Sequence, residues 1–158
     1  MIVTLTINPA IDRNVTADRL VFEDRAYIVA SYESAGGRGI NASCVIHSFG
    51  GRTLAIATSG GESGRRFEKL VCGCGFPAEL VPIESEIRTN LTISDRQGLT
   101  LKLNQHGPTL TAEEVKKLEA AVVGRLDQAN WLMLCGSVPP GVGMTAVSPW
   151  RSLMRYST

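Results

Sequence analysis

No stretch of this chain approaches the roughly 20 consecutive apolar residues that a membrane span requires, and its start, Met1-Ile2-Val3-Thr4, lacks the basic region of a signal peptide. A membrane partner is therefore not expected, and a cytoplasmic location follows by default. Histidine is scarce: His47 and His106 are the two, and without ligand partners at usable spacing both read as structural. Cysteine is sparse as well. Cys44, Cys72, Cys74 and Cys135 have no framework spacing, and Cys72-Gly73-Cys74 is not a zinc-type C-x₂-C pair. They read as reduced thiols packed as small apolar residues, with no metal site expected. Charge of one sign is also lacking, since 16 Lys and Arg against 15 Asp and Glu leave a net +1. With the signs mixed along the chain, nothing points to nucleic acid or an anionic surface. A small molecule is the expected partner.

What is present is a sizeable apolar content, 44% of 158 residues, enough for one globular domain or a large piece of one. Ile2 to Ile7 is rich in β-branched residues and reads as a buried strand ending at Asn8-Pro9. Arg25 to Ser34 reads as a half-exposed strand. From Ile40 to Phe49 the apolar residues Ile40, Cys44, Val45 and Phe49 recur at helical intervals until Gly50-Gly51. Thr53 to Thr58 resumes a strand, Ser59 to Gly64 reads as a loop, and Phe67, Leu70 and Val71 mark a short helix ending at Gly73 or Gly75. Ala78 to Ile83 is a further strand. Asn90 to Ser94 and Leu99 to Leu103 flank Asp95-Arg96-Gln97-Gly98 as a hairpin with one wet face. Thr111-Ala112-Glu113-Glu114 matches a capping box, so a helix is expected to about Asp127, then a buried strand from Asn130 to Cys135.

Alternating strands and helices argue for an α/β fold with a doubly wound, mostly parallel sheet, and the wet hairpin with the Arg25 to Ser34 strand suggests a small second sheet. Ligands sit at the carboxyl ends of strands in such sheets. Three of these ends carry unusual polar or glycine-rich sequence: Asp12 follows the first, Ser59 to Gly64 the third, and Ser137 the last. Ala35-Gly36-Gly37-Arg38-Gly39-Ile40-Asn41 adds a glycine turn running into a helix, where bared N–H groups and the helix N-terminus welcome anions and hydroxyls. Taken singly, Asp12 reads equally as a turn residue, Asn41 as a helix cap, Arg88 and Lys102 as solvated charges and Ser137 as a plain loop hydroxyl.

Together these segments resemble the phosphofructokinase B family of sugar kinases, of the ribokinase-like fold, and its phosphosugar branch (fructose- and tagatose-phosphate kinases). Thr4-Leu5-Thr6-Ile7-Asn8-Pro9-Ala10-Ile11-Asp12 is similar to the family's opening strand and sugar-binding Asp. Gly36-Gly37-Arg38-Gly39-Ile40-Asn41 is similar to its first signature, Gly60-Gly61-Glu62-Ser63-Gly64 to the next glycine loop, and Gly136-Ser137-Val138-Pro139-Pro140-Gly141 to the mid-chain loop. The resemblance implies that Asp12 and Asn41 hydrogen-bond sugar hydroxyls, that Gly36 and Gly37 let the ligand approach the backbone, and that Arg88 and Lys102 hold the phosphate, with Arg25 assisting and Ser137 in the site. It implies ATP and Mg²⁺ as cosubstrate and metal, a lid sheet built from about 12–34 and 88–104, and a homodimer through that lid or a larger self-association. Residues 1–142 are expected to form the sugar-binding half of such a domain.

The family's nucleotide half carries a Gly-Ala-Gly-Asp segment whose Asp takes the proton from the attacking hydroxyl. This sequence has no such segment and no Walker-type loop, so no catalytic base is assigned and the chain by itself is expected to be inactive or nearly so. The fold is accordingly expected to be truncated before the nucleotide-binding half, and 143–158 reads as an atypical tail that departs from the family, with Pro149 interrupting the helix expected there. Two other readings stand beside the kinase one. A non-catalytic sugar-phosphate-binding fragment needs only the same site. A dinucleotide-binding module is suggested by Gly37-Arg38-Gly39-Ile40-Asn41-Ala42, which fits G-x-G-x-x-A.

Overall fold

The computed structural model describes residues 1–140 and residue 142. Expectations about 143–158, the tail and its Pro149 included, lie outside the described residues. The order of elements is β1 (Ile2–Thr6), β2 (Ala10–Ala17), β3 (Ile28–Gly36), α1 (Arg38–Ser48), β4 (Thr53–Gly60), α2 (Gly61–Cys72), β5 (Ala78–Ile83), β6 (Arg88–Ser94), β7 (Thr100–Asn104), α3 (Ala112–Val123) and β8 (Trp131–Cys135). Among the described residues they form two four-stranded sheets, one ordered β5-β4-β1-β8 and the other β3-β2-β6-β7. All pairs of the first sheet are parallel. In the second, β2 pairs in parallel with β6, while β3 and β7 flank them antiparallel.

Helices cover the first sheet on both faces, as its fully buried β4 requires. Ala55 and Ala57 pack with Ile40 of α1 and with Phe67 and Val71 of α2. Leu54 and Ile56, pointing the other way, pack with Val3, Leu5 and the α3 residues Leu118 and Val122. The small side chains admit the helices closely. Under α1 the contact is polar: Thr4 and Ser43 share a hydrogen bond of 2.8 Å, Ser43 and Thr53 one of 2.9 Å. The α3 capping box forms as the sequence implied, with Glu114 N–H donating to the Thr111 hydroxyl at 3.2 Å.

Four expectations change. Asp12 does not lie in a loop after the first strand; it is the third residue of β2, because the chain turns at Ile7 to Pro9 and immediately extends again. Ser59 to Gly64 is no loop either. β4 runs to Gly60 and α2 starts at Gly61, whose φ of +64° makes the strand-to-helix turn in one residue. β3 begins at Ile28, three residues later than Arg25. The α3 helix stops at Val123, followed by a 3₁₀ turn over Leu126–Gln128. Two apolar positions of α1 are also exposed: Val45, and Phe49 just past its end at 87%.

Candidate functional site

The second sheet places a polar face beside the carboxyl ends of the first. Directly paired residues share a face, so the pairings Asp12 with Ser34 and Asn90, and Thr92 with Lys102, set Asp12, Asn90, Thr92 and Lys102 on one side. On the opposite side Ile11 and Ala35 are buried against the core. Alternation along β2 thus sends Ile11 inward and Asp12 to the polar face.

Asp12 is fixed by Asn90, whose Nδ2 donates to its Oδ1 at 2.8 Å. Gly36 lies over the same carboxylate, and a Cβ there would collide with it. Gly37 follows with φ +119°, and a Cβ there would fall on the Thr6 methyl, so glycine is required both for the turn and for the approach. The Gly37 carbonyl accepts from Asn41 N–H at 2.9 Å, which places the exposed Asn41 one helical turn above it.

Arg88, two residues before Asn90 on β6, reaches across the sheets. Its Nη2 donates to the Asn8 carbonyl at 3.1 Å and its Nη1 to the Gln105 carbonyl at 3.2 Å. Burial pushes the Arg88 guanidinium below the ordinary arginine value, while the Asp12 charge pulls it back up. The guanidinium remains a cation. Asn8 is itself buried and donates from Nδ2 to the His106 carbonyl at 2.9 Å and to the Ser137 hydroxyl at 3.2 Å. That bond brings the loop after β8 into the cluster, next to a cavity of about 130 Å³ lined by Ile7, Cys135, Gly136 and Ser137.

Of the residues singled out in the sequence, Asp12, Gly36, Gly37, Arg88 and Ser137 converge, with Asn41 one turn above Gly37. Lys102 stands exposed on the same sheet face, beside Thr92 and one strand beyond β6. Arg25 does not join them: it lies exposed in the connection from Ala17 to Ile28, at the end of β2 away from Asp12. Asn8, Asn90 and Gln105 were not foreseen. Asn8 was legible as the residue before Pro9, whereas Asn90 and Gln105 become visible only through strand pairing. His106 contributes its backbone carbonyl, and His47 packs edge-on against Phe76 with ring centroids 6.0 Å apart. All four cysteines are free. Among the described residues no cluster of three His, Cys, Asp or Glu could hold a metal ion, and no helix is long and apolar enough to cross a membrane.

The dinucleotide reading loses its premise in this geometry. A G-x-G-x-x-A fingerprint works where a strand of the parallel sheet turns into its helix. Here the strand entering Gly37 is β3, an antiparallel strand of the second sheet.

Similarity to known proteins agrees with the geometry. The chain is 30% identical over 142 residues to the ATP-dependent 6-phosphofructokinase isozyme 2 of Mycobacterium tuberculosis, covering 89% of this chain and 42% of that one. It is 25% identical to the tagatose-6-phosphate kinase of Staphylococcus epidermidis, over 90% of this chain and 46% of the relative. The chain therefore spans about half the length of the curated relatives it matches. In three dimensions it is similar to phosphofructokinase-2 from Escherichia coli, crystallised in complex with fructose-6-phosphate, with a TM-score of 0.89, 27% identity and coverage of 96% of this chain and 50% of that one. The fold is that of the ribokinase-like phosphofructokinases. A family model described as pfkB family carbohydrate kinase matches residues 3–157, past the Val142 at which the motif resemblance was expected to stop, and the chain belongs to that family.

Proposed function

We propose that this chain forms the sugar-phosphate side of an ATP-dependent ketohexose-phosphate kinase, the substrate being a fructose or tagatose phosphate. The observation that carries the reading is the pairing of a carboxylate and a partly desolvated guanidinium in one cluster: Asp12 on β2 is held by Asn90 of β6, and Arg88 lies two residues before Asn90 on β6. A carboxylate accepts from sugar hydroxyls, and a guanidinium offers bidentate donors to phosphate. Asn41 and the bare backbone at Gly36 and Gly37 would complete the hydroxyl contacts, and Ser137 and Lys102 would add to the phosphate contacts. Arg25, distant in this chain, would reach a phosphate only from elsewhere in an assembly.

ATP and Mg²⁺ belong to the reaction by family. The described residues do not fit them: they hold no candidate metal cluster, and the sequence has neither a Gly-Ala-Gly-Asp nor a Walker segment. No step is derived through either group. Phosphoryl transfer depends on positioning and charge neutralisation, so the chain by itself should bind sugar phosphate without turning it over. Residues 1–142 would then be the sugar-binding half of the domain, with lid strands within 12–34 and 88–104.

Calorimetry with fructose 6-phosphate, fructose 1-phosphate, tagatose 6-phosphate and NAD tests the reading. Uptake of at least one sugar phosphate and none of NAD is expected. NAD binding with no response to any sugar phosphate would overturn it. A coupled assay is expected to show no turnover by this chain, and a rate on the order of 1 s⁻¹ or more would refute the inactive-half reading.

A further inference from the structure

We propose that Asn90 is a positioning residue of the sugar site: it holds the Asp12 carboxylate by one oxygen and so aims the other at the ligand. The inference rests on the sugar-phosphate reading of this cluster.

The orientation of the Asn90 amide follows from chemistry. An ionised carboxylate only accepts hydrogen bonds, so the end of the amide that faces Asp12 is the NH₂. That contact is 2.8 Å long, between directly paired residues of the parallel strands β2 and β6. The other end, Oδ1, is then committed as an acceptor, and it is buried with no partner among the described residues.

A buried carbonyl without a donor costs about 1–3 kcal/mol. A branched apolar residue would suit the middle of a strand better and carry no such cost. Fold stability therefore does not account for asparagine at this place, whereas the geometry at Asp12 does. A carboxylate turning freely about its last torsion offers a hydroxyl either oxygen at many angles. Tied by Oδ1 on one side and confined by Gly36 on the other, it offers Oδ2 in one direction. Preorganised acceptors of this kind choose which sugar hydroxyl is read, because a misplaced hydroxyl finds no partner and stays desolvated.

The test titrates fructose 6-phosphate into the wild-type chain, N90L and N90V, each melted in parallel. Both variants are expected to bind about tenfold or more weakly, the loss of a hydrogen bond to a charged group. Their melting temperatures are expected to hold or rise. In a D12N background, N90V is expected to cost little further affinity. Should N90L fail to fold, N90V, smaller and strand-forming, carries the comparison. Equal affinity of wild type and N90V would overturn the inference alone, as would additive effects of D12N and N90V or a melting temperature that falls in step with affinity. A wild-type chain that takes up no sugar phosphate would sink the site reading and this inference with it.

Discussion

Nη2 of Arg88 donates to the backbone carbonyl of Asn8 at 3.1 Å, joining the first residue of β6 in one sheet to the turn that ends β1 in the other. The same guanidinium binds the Gln105 carbonyl, while its Nε is buried without a partner among the described residues. One side chain thus locks the polar face of the second sheet against the carboxyl end of the first, where the candidate site lies.

Replacing Arg88 by lysine is expected to keep the positive charge and lose the fork. A single ammonium cannot span both carbonyls and also present paired donors to a phosphate. Affinity for fructose 6-phosphate should fall by about 1–3 kcal/mol, roughly fivefold to 150-fold. Calorimetry reads this directly, and unchanged affinity in R88K would show that the phosphate is held elsewhere.

Gly36→Ala is the sharper probe of the hydroxyl side. The added Cβ would fall on the Asp12 carboxylate, so either the carboxylate swings away from Asn90 or the β2–β3 pair opens. Sugar-phosphate binding should be lost, with stability lowered by about 1–3 kcal/mol as for other overpacked sites. Retained binding with an unaltered melt would mean that the backbone yields there at little cost.

Much of the fold was legible because hydrophobic pattern and turn chemistry agreed. Ala78 to Ile83 is a strand at the stated bounds, and the hairpin pairs Leu91 with Leu103. β2 escaped notice because Asn8-Pro9 punctuates like a loop, and its strand character comes from pairing with β3 and β6, far along the chain. The start of α2 was hidden for a related reason. Gly60, Gly61 and Gly64 read as flexible, yet Gly60 packs against the Ile83 and Ser85 carbonyls and Gly64 against Ser59, so they mark close approach. Asp12, Gly37 and Arg88 could be named from motifs. Asn90 could not, because an asparagine in a strand acquires meaning only from the residue paired with it.

Glu114 links the start of α3 to the end of β5, accepting from Thr111 N–H at 2.7 Å and from Glu84 N–H at 2.8 Å. Burial alone would raise its pKa. The Thr111 and Glu84 N–H groups, the Thr111 hydroxyl and the Lys117 charge outweigh that and hold it below the ordinary glutamate value. With the folded value depressed, its stabilisation is present above the unfolded value and lost as pH falls through the folded one. The wild-type melting temperature should therefore drop more steeply than that of E114Q between about pH 5 and pH 3. At neutral pH E114Q should be less stable by about 1–2 kcal/mol. Parallel acid profiles of the two proteins would remove Glu114 from this role.

Cys72 and Cys74 should differ in reactivity although one residue separates them. Cys72 is exposed, whereas burial, followed by the neighbouring Cys44, pushes the Cys74 thiol up to about 11. Iodoacetamide at mildly alkaline pH is expected to alkylate Cys72 well before Cys74. Mass mapping that finds Cys74 modified first would contradict the packing around α1 and the end of α2.

Self-association is the last expected outcome, and it follows from the face of the second sheet turned away from Asp12. By register Leu101 and Leu103 of β7 stand beside Ile93 and Leu91 of β6 on that face, and both β7 leucines are exposed. Tyr27, Ile28 and Val29 add exposed apolar surface at the start of β3. Exposed apolar surface on both outer strands of one sheet, β3 and β7, can meet its own copy across a two-fold axis, which makes a homodimer through the second sheet the expected assembly. Among the described residues β8 is the last strand of the first sheet, and its Trp131, 72% exposed, offers a further surface for larger species. L103E should place two like charges across the dimer contact while leaving Asp12, Asn90 and Arg88 on the other face untouched. Light scattering at micromolar concentration is expected to give a dimer or larger for the wild type and a smaller species for L103E. A monomeric wild type with a sharp, cooperative melt would show that these leucines are covered within one chain.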